Sequence, residues 1–592
     1  MRSSRAISLG WLLAALAPLA ACEWVSYDER MQRCGDGVAF PTRDATKIER
    51  CDGEDLDDKK CTDLPSEVGT PYTGGALACK GDCTFDTSGC SLCGDNRTTG
   101  KEECDGELSS AKTTTCASLG QGYLSGDVTA CKSDCTFDVS GCLPYSYGFT
   151  YKEDSPITQA AVNGMAVDSK DNVYFTGSFQ GVAIFGDTWL TSAGGRDIFV
   201  AMLNSDGKLQ WAAAAGGAGE DVAHGVVLGK DGDLYIAGSF QGSATFGARV
   251  LTARGKGGSS DIFVARLSSA GAFHKATSAG GEDEDVARAV ALDTRGKIYI
   301  TGSSQGTVPF GAGTVVPGSA TAKSDIFVAW LDTDLALEGA IGAGGPGEDT
   351  AHGVSVDSRD NVHIAGSFQQ TATFGAAPGL TLTSRGKRDI FVARYDVKGS
   401  RFAWATAGGG AYDDMAFGVD TDDSGNSYIT GRFDDNSVRS WNAYAPALFG
   451  KHSLESTKKQ SSYGDILVAS LDSAGRFRWA RSAGSPGVDT GRGVAADHSG
   501  GCYVTGSFYS GPVLGADTLI SRGGTDIFLA RYGAAGALWG VSTGGGLNDE
   551  GRAVAVGSKG ALLVGGAFSS EAKFGLKTTA QDFIVFELRH AR

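Results

Sequence analysis

The sequence predicts an all-β protein: a seven-bladed β-propeller preceded by two small disulfide-rich modules. Three observations predict it. One set of strand-like motifs recurs seven times between about residue 145 and residue 592. Twelve cysteines fall into two sets of six between residues 34 and 142. Across the repeats, no segment sustains the 3.6-residue apolar spacing of a helix.

Residues 1–21 read as a lipoprotein signal peptide. Arg2 and Arg5 supply a positive start, and residues 7–19 are apolar but too short for a comfortable membrane span. The segment ends Leu19-Ala20-Ala21-Cys22. This resembles a bacterial lipobox, which implies cleavage before Cys22 and acylation of its thiol, palmitate included. Each buried methylene contributes about 0.8 kcal/mol, so several acyl chains on one residue anchor stably. The plainer reading is an ordinary secretory signal with a chance cysteine after it. Glu23 rather than Asp follows the lipobox, which by analogy with enteric bacteria permits export to the outer membrane. Residues 22–33 are read as the anchor linker.

Two cysteine-rich modules follow, at 34–90 and 91–142. Their tails nearly coincide: CKGDCTFDTSGC at 79–90 and CKSDCTFDVSGC at 131–142. Six cysteines allow 15 pairings in each module, and spacing does not choose among them. Domains this small bury little, and export favours disulfides as the staple. Zinc is the rival reading of Cys79-x₃-Cys83 and Cys131-x₃-Cys135. The even cysteine count and the lack of histidine here disfavour it. The acidic run at 52–58 departs from an EF-hand loop. The modules resemble cysteine-rich repeats beside lipoboxes in surface proteins of myxobacteria, which implies a stalk rather than a catalytic unit.

The repeats, spaced about 64 residues apart, contain a GVAVD-like strand and then a strand written VYFTGSF, LYIAGSF, IYITGSS, VHIAGSF, SYITGRF, CYVTGSF and LLVGGAF. A loop containing Phe-Gly, a DIFVA-like strand and an FxW strand running into Gly-Gly complete each unit. Period-two runs of Val, Ile, Tyr and Phe bounded by Asp-Ser-Gly-Asn turns are strands. Closure into a ring removes exposed sheet edges. The last unit lacks its FxW strand. The strand near 148–152 is expected to complete it, with Phe149 and Tyr151 in the Phe and Trp places. The 145–592 segment resembles the bacterial beta-propeller repeat family over about 440 of 592 residues. That resemblance implies the fold and an exported or surface protein, and it leaves function open.

Repeated positions supply the candidate site. Asp221, Asp285, Asp349, Asp414, Asp489 and Asp549 each lie ten residues after the Trp position and four before the Gly or Ala of the inner strand. Such a ring of carboxylates either binds cations or a basic partner, or fixes a turn through backbone N–H groups. The turn is favoured. The same capping reading covers Asp197, Asp261, Asp325, Asp389, Asp465, Asp526 and Asp582 at the DIFVA strands. His224, Arg288, His352, Arg492 and Arg552 share one position beside the inner-strand Gly, as does Phe417, and are expected at the channel face. Trp211, Trp404, Trp479 and Trp539 read as inter-blade packing, with Lys275 and Gly339 in their place twice. Cys502 reads as a buried thiol. The insertion at 433–464 is the expected recognition loop.

Charge and motifs narrow the function classes. Lys+Arg is 52 against 69 Asp+Glu, a net −17, and 88 of the residues are Gly. That balance excludes a general nucleic-acid binder. No nucleophile elbow, HExxH, dinucleotide fingerprint or P-loop occurs. No catalytic residue, cofactor or metal is therefore expected. The function expected is a surface-exposed lipoprotein of the cell envelope, attached to the membrane through Cys22, that serves as a binding or structural scaffold for protein or glycan. The alternatives are a polysaccharide-acting enzyme with its site in the funnel and a purely architectural envelope protein.

Overall fold

The computed structural model describes residues 59–64, 74–75, 77–80, 85–87, 90–91, 123–125, 143–150 and 159–588. The last range omits 311–313, 317–322, 376–378, 435–445, 457–463, 498, 516, 559, 568–570, 575–576 and 581–582. Cys22, the signal segment, the linker, Tyr151, Asp582 and most of the module cysteines lie outside the described residues. The chain divides into two compact units, residues 1–113 with 128–139, and residues 114–127 with 140–592.

In the first unit, strand Gly74–Gly75 pairs with Cys90–Ser91, and Ala78–Cys79 pairs with Phe85–Asp86. Cys61 is buried, and Cys61 and Cys79 are both disulfide-bonded.

The second unit is almost wholly antiparallel strand. Its repeated sheet is clearest at Val222–Leu228, Leu234–Gln241, Ser260–Leu267 and Phe273–Ala279, paired in that order. We call these the inner, second, third and fourth strands. Every residue from 234 to 240 is buried, which explains why the second strand is apolar almost throughout: both faces are covered. Successive side chains serve opposite neighbours. Ile198 and Val200 join Leu234, Ile236, Phe240 and Phe263 of the next repeat. Phe199 and Ala201, between and beyond them, join Val162, Phe175, Phe179 and Leu563. The cores therefore lie between sheets, and each large buried side chain contributes roughly 1.5–3 kcal/mol there.

The inner strands succeed one another around a ring. Gln159–Val167 lies against Val222–Leu228, then follow Val286–Leu292, Thr350–Val356, Met415–Thr421, Thr490–Ala496 and Glu550–Val556. This last strand lies against Gln159–Val167. The fourth strand beside Phe583–Leu588 comes from the other end of the unit: it is Leu143–Thr150. The register differs from the expected one. Tyr145 lies opposite Leu588 and Phe149 opposite Val585, so Tyr145 holds the place that Leu209 or Phe273 holds in other sheets. The short strand Tyr123–Ser125 also pairs with this strand, an addition that the repeat pattern does not contain.

Two local devices hold the sheets together. Aspartate side chains close the turns: Asp357 accepts the N–H groups of Arg359 and Asn361, and Asp422 those of Ser424 and Asn426. The Phe-Gly loop is itself a hairpin, for example Ser243–Phe246 with Arg249–Thr252. It adds to the fourth strand of the preceding sheet, pairing Gly217 with Ala244. A Cβ at Gly217 would fall on the Ser243 carbonyl oxygen, which accounts for the Gly-Gly ending.

The 433–464 insertion is accordingly smaller than its sequence suggests. Ala447–Phe449 and His452–Leu454 form this same hairpin, with Ala447 and Phe449 buried. The remainder, 435–445 and 457–463, lies outside the described residues.

Trp211 and Trp404 pack between sheets. Their indole N–H groups donate to the carbonyls of Ser269 and Ser473 in the following repeats, at 2.9 and 3.1 Å. In the third repeat Gly339 stands at the Trp position, and Trp330 reaches across from the paired strand. A Cβ at Gly339 would collide with its ring.

Candidate channel site

A bulge in the inner strand builds the site. Ala223 pairs with Gly238 and Gly225 with Ala237, so His224 has no partner across the ladder. The same irregularity isolates Asn163, Arg288, His352, Phe417, Arg492 and Arg552. The bulge displaces backbone toward the second strand. A Cβ at Gly238 would land on the Val222 carbonyl oxygen, and Gly177, Gly302, Gly366, Gly431, Gly506 and Gly566 meet the same obstacle. The Gly of each TG, AG or GG pair is thus the steric partner of the bulge. All seven bulged side chains are half-buried, whereas Val162, Ala223, Ala287, Ala351 and Ala416 before them are fully buried.

The bulged side chains reach one another around the ring. Arg552 Nη1 donates to Asn163 Oδ1 at 2.7 Å, and Asn163 Nδ2 donates to the Ala223 carbonyl at 2.9 Å. Glu550 pairs with both Arg552 and Arg492. The Arg492 guanidinium sits 5.0 Å from the Phe417 ring centroid, and the His352 ring lies 5.2 Å from the same ring. Burial, reinforced by the field of Arg288, holds His224 and His352 near a pKa of about 3, so both are neutral at pH 7.

The six aspartates expected at the channel face are fully buried. Asp221 accepts the N–H groups of Gly217 and Gln241 at 2.7 and 3.2 Å, and Asp285 those of Gly281 and Gln305 at 2.6 and 3.1 Å. Asp349 and Asp414 repeat the pattern with Gly345 and Gln369, and with Gly410 and Asp434. Asp489 takes Ser485 and Tyr509, and Asp549 takes Gly545. Each clasp ties the Gly-Gly turn to its neighbours. Burial pushes Asp221 and Asp489 up to about 6, and Asp285 and Asp349 up to about 7, against the pull of these amides. The adjoining third-strand carboxylates Asp197, Asp261, Asp325 and Asp465 add to the rise. The ring therefore divides by position: carboxylates in the turns, histidines and arginines at the bulges.

Three members of the channel escape a reading by repeat alone. Asn163 occupies the first bulge, and aligning VNGMAVD with AHGVVLG would reveal it. Glu550 stands where the other inner strands carry Ala, Val, Thr or Met. Arg432 stands in GRF where the other second strands carry Ser or Ala, and its field reaches Arg492.

A Ser–His–Asp relay occurs elsewhere. His363 Nδ1 lies 2.8 Å from Ser427 Oγ, and its Nε2 lies 3.2 Å from Asp357 Oδ2. Ser427 and His363 are 0% exposed and Asp357 3%, so no substrate meets them. His363 takes the place of the second-strand tyrosine; Tyr428 sends its hydroxyl to Asp422 in the same way. Cys502 is a buried free thiol. Among the described residues no group of three metal-ligating side chains converges, and no helix is long and apolar enough to cross a membrane.

No family model matches the chain. An uncharacterized WD repeat-containing protein, L264, from Acanthamoeba polyphaga mimivirus is 24% identical over 234 residues, covering 35% of this chain and 17% of that protein. The regulatory protein FlaEY of Caulobacter vibrioides is 35% identical over 112 residues, covering 18% of this chain and 12% of that protein. The chain thus spans under a fifth of either relative's length. Among solved structures, a europium-containing methanol dehydrogenase aligns over 75% of this chain and 93% of its own, at 10% identity and a TM-score of 0.33. A gluconolactonase from Xanthomonas campestris aligns over 61% and 96%, at 13% identity and a TM-score of 0.26. At these TM-scores the likeness says nothing of this chain's activity. The repeated antiparallel sheets and the ring of inner strands define a β-propeller repeat protein.

Proposed function

We propose that the chain is a lipoprotein of the bacterial cell envelope: a seven-bladed β-propeller, preceded by two disulfide-rich modules and anchored through Cys22, that binds a protein or glycan. The contact of the seventh inner strand with the first and the Leu143–Thr150 pairing support a closed seven-bladed ring. The bonded Cys61 and Cys79 support stapled modules. The lipobox-like ending at Cys22 supports the anchor.

One observation carries the binding role over a purely architectural one. Of nine large apolar side chains exposed among the described residues, six lie between 488 and 547: Val488, Tyr509, Val513, Ile520, Leu538 and Leu547. An architectural ring would distribute them evenly; concentration in one repeat favours a contact surface. Envelope-fraction pull-downs with residues 23–592 test this. The double variant Val513→Ser, Ile520→Ser is expected to lose what the unchanged protein enriches. Equal enrichment by both, or none by either, refutes the surface. Acyl labelling of Cys22→Ser tests the anchor, and retained labelling would sink it.

A further inference from the structure

The bulge ring leaves one cation unanswered. Arg492 and Arg552 share Glu550, and Arg552 also holds Asn163. Arg288 has neither an ion pair nor a hydrogen bond among the described residues, and its Nε is shut off from solvent without a partner. Glu284, the acid whose field reaches it, already accepts the Ser260 N–H at 2.9 Å. Arg288 is half-buried, and an N–H closed off from solvent without an acceptor is costly; a fold that keeps one has a use for the donors beside it. The fork of the guanidinium matches the two oxygens of a carboxylate or phosphate.

The neighbours suit an anion. The inner strand of Arg288 lies between those of His224 and His352. Both imidazoles lie within the electrostatic reach of Arg288 and stay neutral, each with one donor and one acceptor nitrogen. Arg432, also without an ion pair among the described residues, adds a further positive charge beside Arg492. A chain of net charge −17 thus holds a local excess of cations on its channel face.

We propose that Arg288 anchors an oxyanion site in the channel, with His224 and His352 on either side, for a small molecule bearing a carboxylate or phosphate group. Arg288 takes the oxyanion through paired N–H donors. The two neutral imidazoles take adjoining hydroxyl or ether oxygens. Arg492 and Arg552, held by Glu550, contribute field rather than contact. The site depends on neither the lipid anchor nor the exposed apolar residues.

Isothermal titration of the full chain at low salt tests it, with sodium glucuronate and inorganic phosphate as separate probes and glucose as the neutral control. One anion is expected to bind near one per chain, more weakly as salt is added, while glucose does not. Preference for glucuronate assigns a carboxylate ligand, and preference for phosphate a phosphorylated one. Arg288→Gln is expected to weaken binding at least about tenfold, and exposed Arg401→Gln to leave it unchanged. Near-UV circular dichroism reports folding. Should Arg288→Gln not fold, Arg288→Lys, which keeps the charge and loses the fork, is expected to weaken binding by a smaller factor. Binding of neither anion at about 10 mM, or equal binding by the unchanged chain and a folded Arg288 variant, overturns the site.

Discussion

Replacing Asp349 by Asn should make stability less sensitive to a rise in pH from 5.5 through neutrality. Asp349 is fully buried, clasps the N–H groups of Gly345 and Gln369 at 2.8 and 3.0 Å, and has its carboxyl pushed up to about 7 by burial. Its unfolded value is the ordinary 3.8, so between the two values only the folded chain binds this proton. That contribution is complete below 3.8 and disappears as pH rises through about 7. Each pH unit between the unfolded and folded values costs about 1.4 kcal/mol, so raising the pH from 5.5 through about 7 to 8.5 removes about 2 kcal/mol from this one site. The Asn side chain titrates nowhere in this range. Its single oxygen serves only one of the two amides, and the amide left unserved costs about 1–3 kcal/mol at any pH. Urea unfolding followed by tryptophan fluorescence, at pH 5.5 and 8.5, reads both effects. The variant should be the less stable at pH 5.5, and the gap should shrink by about 2 kcal/mol at pH 8.5. A gap that is constant or that widens with pH refutes the reasoning. Comparing variant with parent is essential, because His224 and His352 titrate in the opposite sense and contaminate either curve alone.

Those histidines give a second prediction. With a folded pKa of about 3 against 6.5 unfolded, His224 contributes stability above 6.5 that is lost as pH falls. His224→Gln should recover roughly 2.5 kcal/mol of relative stability between pH 7 and 4.5, read by the same titration. Gly238→Ala sets a methyl group on the Val222 carbonyl and should cost at least about 2 kcal/mol, whereas Gly242→Ala, which has open space but a φ of 64°, should cost only about 1. Trp479 is 3% exposed, and Trp479→Ala should cost about 3–5 kcal/mol in thermal or urea unfolding. Deleting residues 143–150 leaves Phe583–Leu588 as an open edge, and light scattering should report association that the full chain lacks.

Local chemistry was legible where one residue type serves one backbone need. The glycine of the TG, AG or GG pair recurs in every copy and the turn aspartates in most of them, so repetition alone exposes the sheet. The bulge was hidden because its cause and effect lie on different strands: Gly238 yields space to the Val222 carbonyl, and His224 is what projects as a result. The register of the closing strand was misjudged because LPYSYGFT offers aromatic residues at both Tyr145 and Phe149, and only pairing distinguishes them. The hairpin inside the insertion is legible only on alignment: ALFGKHSL keeps the A-x-F-G-x-x-x-L pattern of AIFGDTWL and ATFGARVL, but the long polar stretches on either side obscure it. Arg288 was visible as a position. Its lack of a partner depends on where Glu284 and Glu550 point, which no spacing encodes.

The bulge has a consequence for how such a chain can change. A ladder residue is bound on both sides, so altering it disturbs two neighbours. A bulged residue is released from that obligation, and the space it needs is already conceded by a glycine on the next strand. Seven such positions, filled here by Asn, His, Arg, His, Phe, Arg and Arg, are substitutable sites on one rigid frame, tied to one another by side-chain contacts such as Arg552–Asn163 and Arg492–Phe417 rather than by the ladder. The chemistry of the channel can therefore be rewritten one residue at a time without renegotiating the fold that carries it.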